Sequence, residues 1–240
     1  TPLRYCAEKG HLDVAKALIE AGAKMDQYGP GELLHWCAHN GYWELAKALI
    51  EANEDVNKVC CYSTTPLHEC AQEEGVFKNY KSERLHVAKA LISAGVNVNA
   101  KDRYGRTPLH LCAKNKDFKL AKALIEGTAD VNAKDNDGNT PLHSCAAGAG
   151  HAVRDYTSAH YRRKVYEFDY SQAVTETLIS AKADVNAKNN FGWTPLKMFL
   201  KTLRQHREGW LSFFSCTATL DDYRMARDEN CSSPSQRKKL

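Results

Sequence analysis

The chain of 240 residues has no apolar run long enough to span a membrane and no charged-then-apolar leader of the secretory kind. It has no Gly-x-Gly-x-x-Gly, no P-loop and no Gly-x-Ser-x-Gly. The sequence signals of dinucleotide binding, phosphate cradling and the hydrolase nucleophile elbow are therefore missing. No Cys-x-x-Cys and no His-Glu-x-x-His occurs, and the scattered histidines, His39 among them, are read as making no His-x-x-x-His pair, so no zinc site is expected. Asp130, Asp135 and Asp137 lie close together but lack the spacing of a calcium loop. His206 and Cys216 make no nucleophile pair that the sequence brings together. An excess of one charge is also lacking. Lys and Arg number 33 against 29 Asp and Glu, a formal +4 with a sequence pI near 8.5. That is far from the concentrated basic face of a nucleic-acid binder. These absences leave no cofactor, no metal and no catalytic residue to name.

What the chain does have is a recurring word. It reads Thr65-Pro66-Leu67-His68, Thr107-Pro108-Leu109-His110 and Thr140-Pro141-Leu142-His143. Worn copies are Thr1-Pro2-Leu3-Arg4, Glu32-Leu33-Leu34-His35 and Thr194-Pro195-Leu196-Lys197. Successive copies start 31, 33, 42, 33 and 54 residues apart. The unit reads physically from Asp102 to Lys134. Asp102-Arg103-Tyr104-Gly105 is a turn, with Gly105 free to take positive φ. Thr107 caps a helix, and Pro108 at its first position loses no useful N–H. Leu109, Cys112 and Ala113 recur at helical spacing, and a second helix over Leu120–Ile125 has one apolar stripe. Asp130-Val131-Asn132-Ala133 returns as extended chain. No unit this small buries its own core, so neighbours must stack.

A basic period of 33 carrying Thr-Pro-Leu-His resembles the ankyrin repeat. The resemblance implies an all-α solenoid of helix-turn-helix units with short β-hairpin loops, about six repeats near 1–26, 27–59, 60–101, 102–134, 135–188 and 189–199. A helical C-terminal cap over 200–230 and a flexible tail over 231–240 are expected to follow, with Trp210, Leu211, Phe213 and Phe214 covering the last repeat. Thr1 opens inside a repeat, so the chain reads as an excerpt. Second helices Ala15–Ile19, Ala46–Ile50, Ala88–Ile92 and Ala121–Ile125 are near copies, with lysines facing solvent. Gly22, Asn53 and Gly95 stand where such helices end in a left-handed residue. Lys182 and Thr128 replace them elsewhere, so those two ends are expected to be less regular.

Cys6, Cys37, Cys70, Cys112 and Cys145 all fall five residues after the first residue of the word. They read as small buried hydrophobes in a reducing compartment, cytosolic or nuclear. The histidines of the word are expected to bond nearby backbone and tie successive hairpins. Steps of 42 and 54 carry about 9 and 21 extra residues over the period. Both inserts fall between the two helices of a repeat, within Glu74–Glu83 and Gly148–Tyr170. The larger interleaves aromatic and basic residues. It reads as a lengthened helix or ordered loop packed on the stack; the alternative is a second binding surface at Tyr156, Tyr161, Arg162, Arg163 and Tyr166.

The resemblance implies a non-catalytic protein-binding module, a scaffold, adaptor or inhibitor, monomeric on its own. Its partner is expected on the hairpin tips and the adjoining first-helix face. By position these are Tyr28, Tyr62, Arg103, Tyr104, Arg106, Asn136, Asp137, Asn139, Phe191 and Trp193 on the tips, with Gln72, Glu73, Lys114 and Asn115 on the helices. The centre is expected at Tyr62, Arg103, Tyr104 and Arg106. The rival reading is the recognition part of a larger enzyme, or of a bacterial effector working in host cytosol, with catalysis in flanking sequence.

Overall fold

The copies of the word at Thr65, Thr107, Thr140 and Thr194 each open a helix, and the copy at Glu32 lies inside one that begins at Gly29. In the computed structural model, which describes residues 5–6, 9, 11–22, 29–60, 62–72, 81–148 and 172–205, the first helices are α2 (Gly29–Asn40), α4 (Pro66–Ala71), α6 (Pro108–Lys114), α8 (Pro141–Gly148) and α10 (Pro195–Gln205). The second helices are α1 (Leu12–Glu20), α3 (Trp43–Glu51), α5 (Lys81–Ser93), α7 (Phe118–Glu126) and α9 (172–180). First helices pack in series, α2 on α4, α4 on α6, α6 on α8 and α8 on α10. Second helices do the same from α1 to α7, and the two series form the layers of an all-helical solenoid. The hairpin loops between repeats are turns, and no strand occurs among the described residues.

The word works as a cap at both ends of its histidine. Thr65 and Thr107 hold extended backbone, with φ of −96° and −88°, and proline follows at the first helical position. His68 Nδ1 accepts the Thr65 backbone N–H at 3.1 Å, the place usually taken by Glu or Gln in a capping box. With Nδ1 accepting, the ring proton lies on Nε2, and it donates to the Arg106 carbonyl of the next hairpin at 3.0 Å. His110 repeats this between Thr107 and the Asn139 carbonyl, and His143 between Thr140 and the Trp193 carbonyl, with Nε2–O distances of 3.0 and 2.9 Å. His35 Nε2 lies 2.9 Å from the Thr64 carbonyl. A second ladder uses asparagine. The Oδ1 of Asn57, Asn99 and Asn132 accepts the backbone N–H of Asn97, Asp130 and Asp184, at 2.7, 2.8 and 2.7 Å. Both ladders span the repeats that carry inserts, which is why an insert between helices need not disturb the stack.

The layers close on leucine and small residues. Leu45, Leu67, Leu91, Leu109, Leu124 and Leu178 are fully buried, each worth about 1.5–3 kcal/mol of removed apolar surface. Ala15, Ala46, Ala88 and Ala121 are buried with them, and Lys16, Lys47, Lys89 and Lys122 face solvent. Cys37, Cys70, Cys112 and Cys145 lie in this core, and burial pushes the thiols of Cys37 and Cys70 up.

One expectation fails. Thr128 and Lys182 end their helices as regularly as the glycines do. Their φ values are 68° and 67°, against 70° at Gly22 and 61° at Asn53. Ala129 and Ala183 then close on Leu124 and Leu178 carbonyls at 2.9 and 3.0 Å, the same backbone pattern as Val96 after Gly95. Helix packing and two hydrogen bonds over-determine the geometry, although a non-glycine residue there costs about 1–2 kcal/mol. The smaller insert lies outside the described residues up to Lys81, where α5 begins, and the larger lies outside them beyond Gly148. α10 runs unbroken past 199 with Phe199 buried; the expected cap from 206 on and the tail lie outside the described residues.

Three outcomes follow from this packing. Burial holds the imidazoles of His68, His110 and His143 below the ordinary histidine value, against the raising pull of their carbonyl partners. The fold thus binds these protons less readily than the unfolded chain does. Stability is full above about pH 6.5 and falls as pH drops below it, with a limiting slope of about 1.4 kcal/mol per pH unit for each histidine. The urea midpoint should fall between pH 7.5 and 5.5, and less steeply in His110→Gln; a flat midpoint would show that the rings are not held neutral. Thiol labelling should strike Cys60, which is half-buried, well before Cys37 or Cys70; equal rates in the folded state would contradict the burial. Thr128→Gly should raise stability by up to about 1 kcal/mol by chemical denaturation, since glycine takes positive φ freely; a loss would mean that the helix end is not strained.

Candidate interaction surface

The hairpin tips are built on one side chain. Asp102 is buried, and its Oδ1 accepts the backbone N–H groups of Tyr104 and Arg106, both at 2.9 Å. The Asp102 N–H closes the turn on the Arg106 carbonyl at 2.9 Å. Asp135 and Asn189 build the same turn in the next two repeats. Gly105 has φ 74°, and a Cβ there would stand 2.4 Å from Asn136 Oδ1, so both conformation and close stacking demand glycine. In the preceding repeat Cys60 stands at the aspartate position and Ser63, with φ 57°, at the glycine position. Cys60 N still closes on the Thr64 carbonyl at 2.9 Å, and its Sγ lies 2.7 Å from Thr64 Oγ1. Register alone could have revealed that role for Cys60.

Successive tips are joined by backbone. Arg103 N–H donates to the Tyr62 carbonyl, Asn136 N–H to that of Tyr104 and Asn190 N–H to that of Asp137, at 3.1, 3.0 and 2.9 Å. That register gathers the expected central residues. The Arg103 guanidinium carbon lies 4.4 Å from the Tyr62 ring centroid and 4.5 Å from that of Tyr104, and it donates to the Tyr104 hydroxyl. Arg106 lies 4.7 Å from the Tyr104 centroid. Tyr62 and Tyr104 remain 53% and 47% exposed, and Phe191 64%. Rings this exposed stand at a turn whose own hydrogen bonds need none of them.

Several other sequence-chosen residues are held by the fold. Arg106 Nε and Nη2 sit 2.8 and 2.7 Å from Asp102 Oδ2, an ion pair with a buried carboxylate. Asn136 Nδ2 donates to the Arg103 carbonyl, Asn139 Nδ2 to Asp135 Oδ2, and Asn115 Nδ2 to the Ala71 carbonyl. Trp193 is half-buried, with the Lys201 ammonium 4.1 Å from its ring centroid and Phe191 beside it. Lys114 and Asp137 are exposed. Tyr28 and Glu73 lie outside the described residues, as do Tyr156, Tyr161, Arg162, Arg163 and Tyr166 of the larger insert.

On the first-helix face, sequence reasoning missed Glu69. Burial works against its charge, but hydrogen bonds from His39, at 3.3 Å, and Thr64, at 3.0 Å, outweigh it and hold the carboxyl below the usual range. Gln72 Nε2 donates to the same carboxylate at 3.3 Å. The expectation that His39 belongs to no His-x-x-x-His pair is wrong, since His35 and His39 stand four apart on α2, a spacing seen in zinc-binding helices. The fold turns them to different partners, the Thr64 carbonyl and the Glu69 carboxylate.

A family model described as ankyrin repeats, three copies, matches residues 3–102 and again 76–155, and a single ankyrin-repeat model matches residues 137–190. No curated protein matches the chain. Ankyrin repeats are in general protein–protein interaction modules and typically non-catalytic. The matched segments together span most of the chain, and the stacked helix pairs agree with them: the chain belongs to the ankyrin-repeat family.

Proposed function

We propose that the array binds a protein partner across the hairpin tips of its middle repeats, as a scaffold, adaptor or inhibitor. The observation that carries this reading is the Tyr62–Arg103–Tyr104 stack, two half-exposed rings with a guanidinium between them. Tyrosine and arginine give large contact area through few rotors, which is why they dominate binding hot spots. Here the rotors are held by neighbouring rings and by backbone bonds between tips, so little entropy is lost on binding. Asp137 and Lys114 supply polar groups at the rim.

In this reading Arg106, paired with Asp102 through Nε and Nη2, positions Tyr104 and braces the turn.

A photoreactive residue at position 104 should cross-link the partner in cells, whereas one at Lys122 on the second-helix layer should not. Cross-links from 122 or from position 161, with none from 104, would move the interface elsewhere. With the captured partner in hand, Tyr104→Ala or Arg103→Ala should weaken binding by about 1–3 kcal/mol with an unchanged melting temperature. Arg106→Ala should lower the melting temperature, because it strands a buried carboxylate.

A further inference from the structure

Among the described residues of the tips, Arg103 is a cation that the fold leaves without a carboxylate. Arg106 is paired with Asp102, whose side chain is 1% exposed. Arg103 lies one residue beyond that aspartate, and among the described residues no carboxylate pairs with it. Its neighbours are two rings and a tyrosine hydroxyl. Rings exclude water from a guanidinium without neutralising it. The in-plane N–H groups not given to the Tyr104 hydroxyl stay available, and a carboxylate is the planar acceptor that they fit in a fork. Charge next changes sign along the tip row. Asp137 occupies in its hairpin the place of Tyr104, and it is exposed. The row ends on Phe191, 64% exposed, in the place equivalent to Tyr62 and Tyr104.

The order along the tips is therefore apolar ring, cation, apolar ring, anion, apolar ring. A nucleic-acid strand stacked on the tyrosines would meet Asp137 with its next phosphates, and the Arg103 guanidinium by itself gives it little hold. A polypeptide can alternate its charges to match. We propose that the tip row takes a segment of a protein partner that seats an Asp or Glu side chain on Arg103, between the Tyr62 and Tyr104 rings, and a Lys or Arg farther along on Asp137. This rests on the tip surface proposed above and specifies what fits it. The ion pair forms beside two rings, so it is less screened than an ordinary rim contact.

The test uses a displayed library of random linear peptides, selected on the full chain at low salt. Enriched peptides should carry an Asp or Glu followed by a Lys or Arg. Their affinity should fall about tenfold or more for Arg103→Gln, whose melting temperature should match the parent, and the same library selected on Arg103→Glu should lose the acid and enrich a base in its place. Peptides that need Tyr104 but carry no acid would overturn this inference while leaving the tip surface standing. Peptides indifferent to Tyr104→Ala, or no enrichment at all, would overturn both. A single-stranded oligonucleotide that displaces the enriched peptides would overturn it in favour of a nucleic-acid ligand.

Discussion

A buried, neutral imidazole held between a helix cap and the next hairpin is the contact on which the array depends. Each such ring satisfies an N–H at the start of its own helix and a carbonyl in the following repeat. The cap N–H finds its partner in that ring, and the carbonyl, which already accepts the turn-closing N–H of its own hairpin, takes the ring as a second donor. The bond is also directional along the stack. His68 reaches Arg106, His110 reaches Asn139 and His143 reaches Trp193, and each acceptor closes the turn that presents the next tip. Hydrophobic burial holds the layers together but does not fix how one hairpin stands over another; these bonds and the asparagine ladder do.

That constraint connects folding to recognition. The residues that receive the histidine bonds belong to the same turns as Tyr104, Asp137 and Phe191. A tip whose backbone is tied from behind and from both sides offers side chains already in place. The two inserts leave the ties intact, since His68 and His143 cross them with the same geometry as His110, which crosses none. A solenoid can thus take extra residues within a repeat and keep the ties between its hairpins, because its stability is a sum over neighbours.

Much of this was legible in the residues. Thr-Pro-Leu-His announced cap, first turn and tie, and its period announced the stack. The common position of Cys37, Cys70, Cys112 and Cys145 announced the core that burial confirms. Register along the turns brought Tyr62, Arg103, Tyr104 and Arg106 together before any coordinate did. What register does not carry is the use to which each donor is put. Arg103 and Arg106 look alike in the sequence; only geometry shows one fork spent on Asp102 and the other left facing outward between rings. Asn136, Asn139 and Asn115 looked available for the same reason and are bonded to backbone or carboxylate instead. Thr128 and Lys182 misled because local preference weighs less than a helix end fixed by its neighbours. Glu69 escaped notice because its pairing with His39 joins residues 30 apart.

The most direct measurement is of the rings themselves. Long-range nitrogen–proton NMR spectra of the folded chain distinguish the tautomers of each imidazole. In the folded chain His68, His110 and His143 should be neutral at pH 7, with the proton on Nε2 and Nδ1 unprotonated, and should take up a second proton only below the ordinary histidine value. Rings protonated on Nδ1, or titrating at the ordinary histidine value in the folded state, would contradict this.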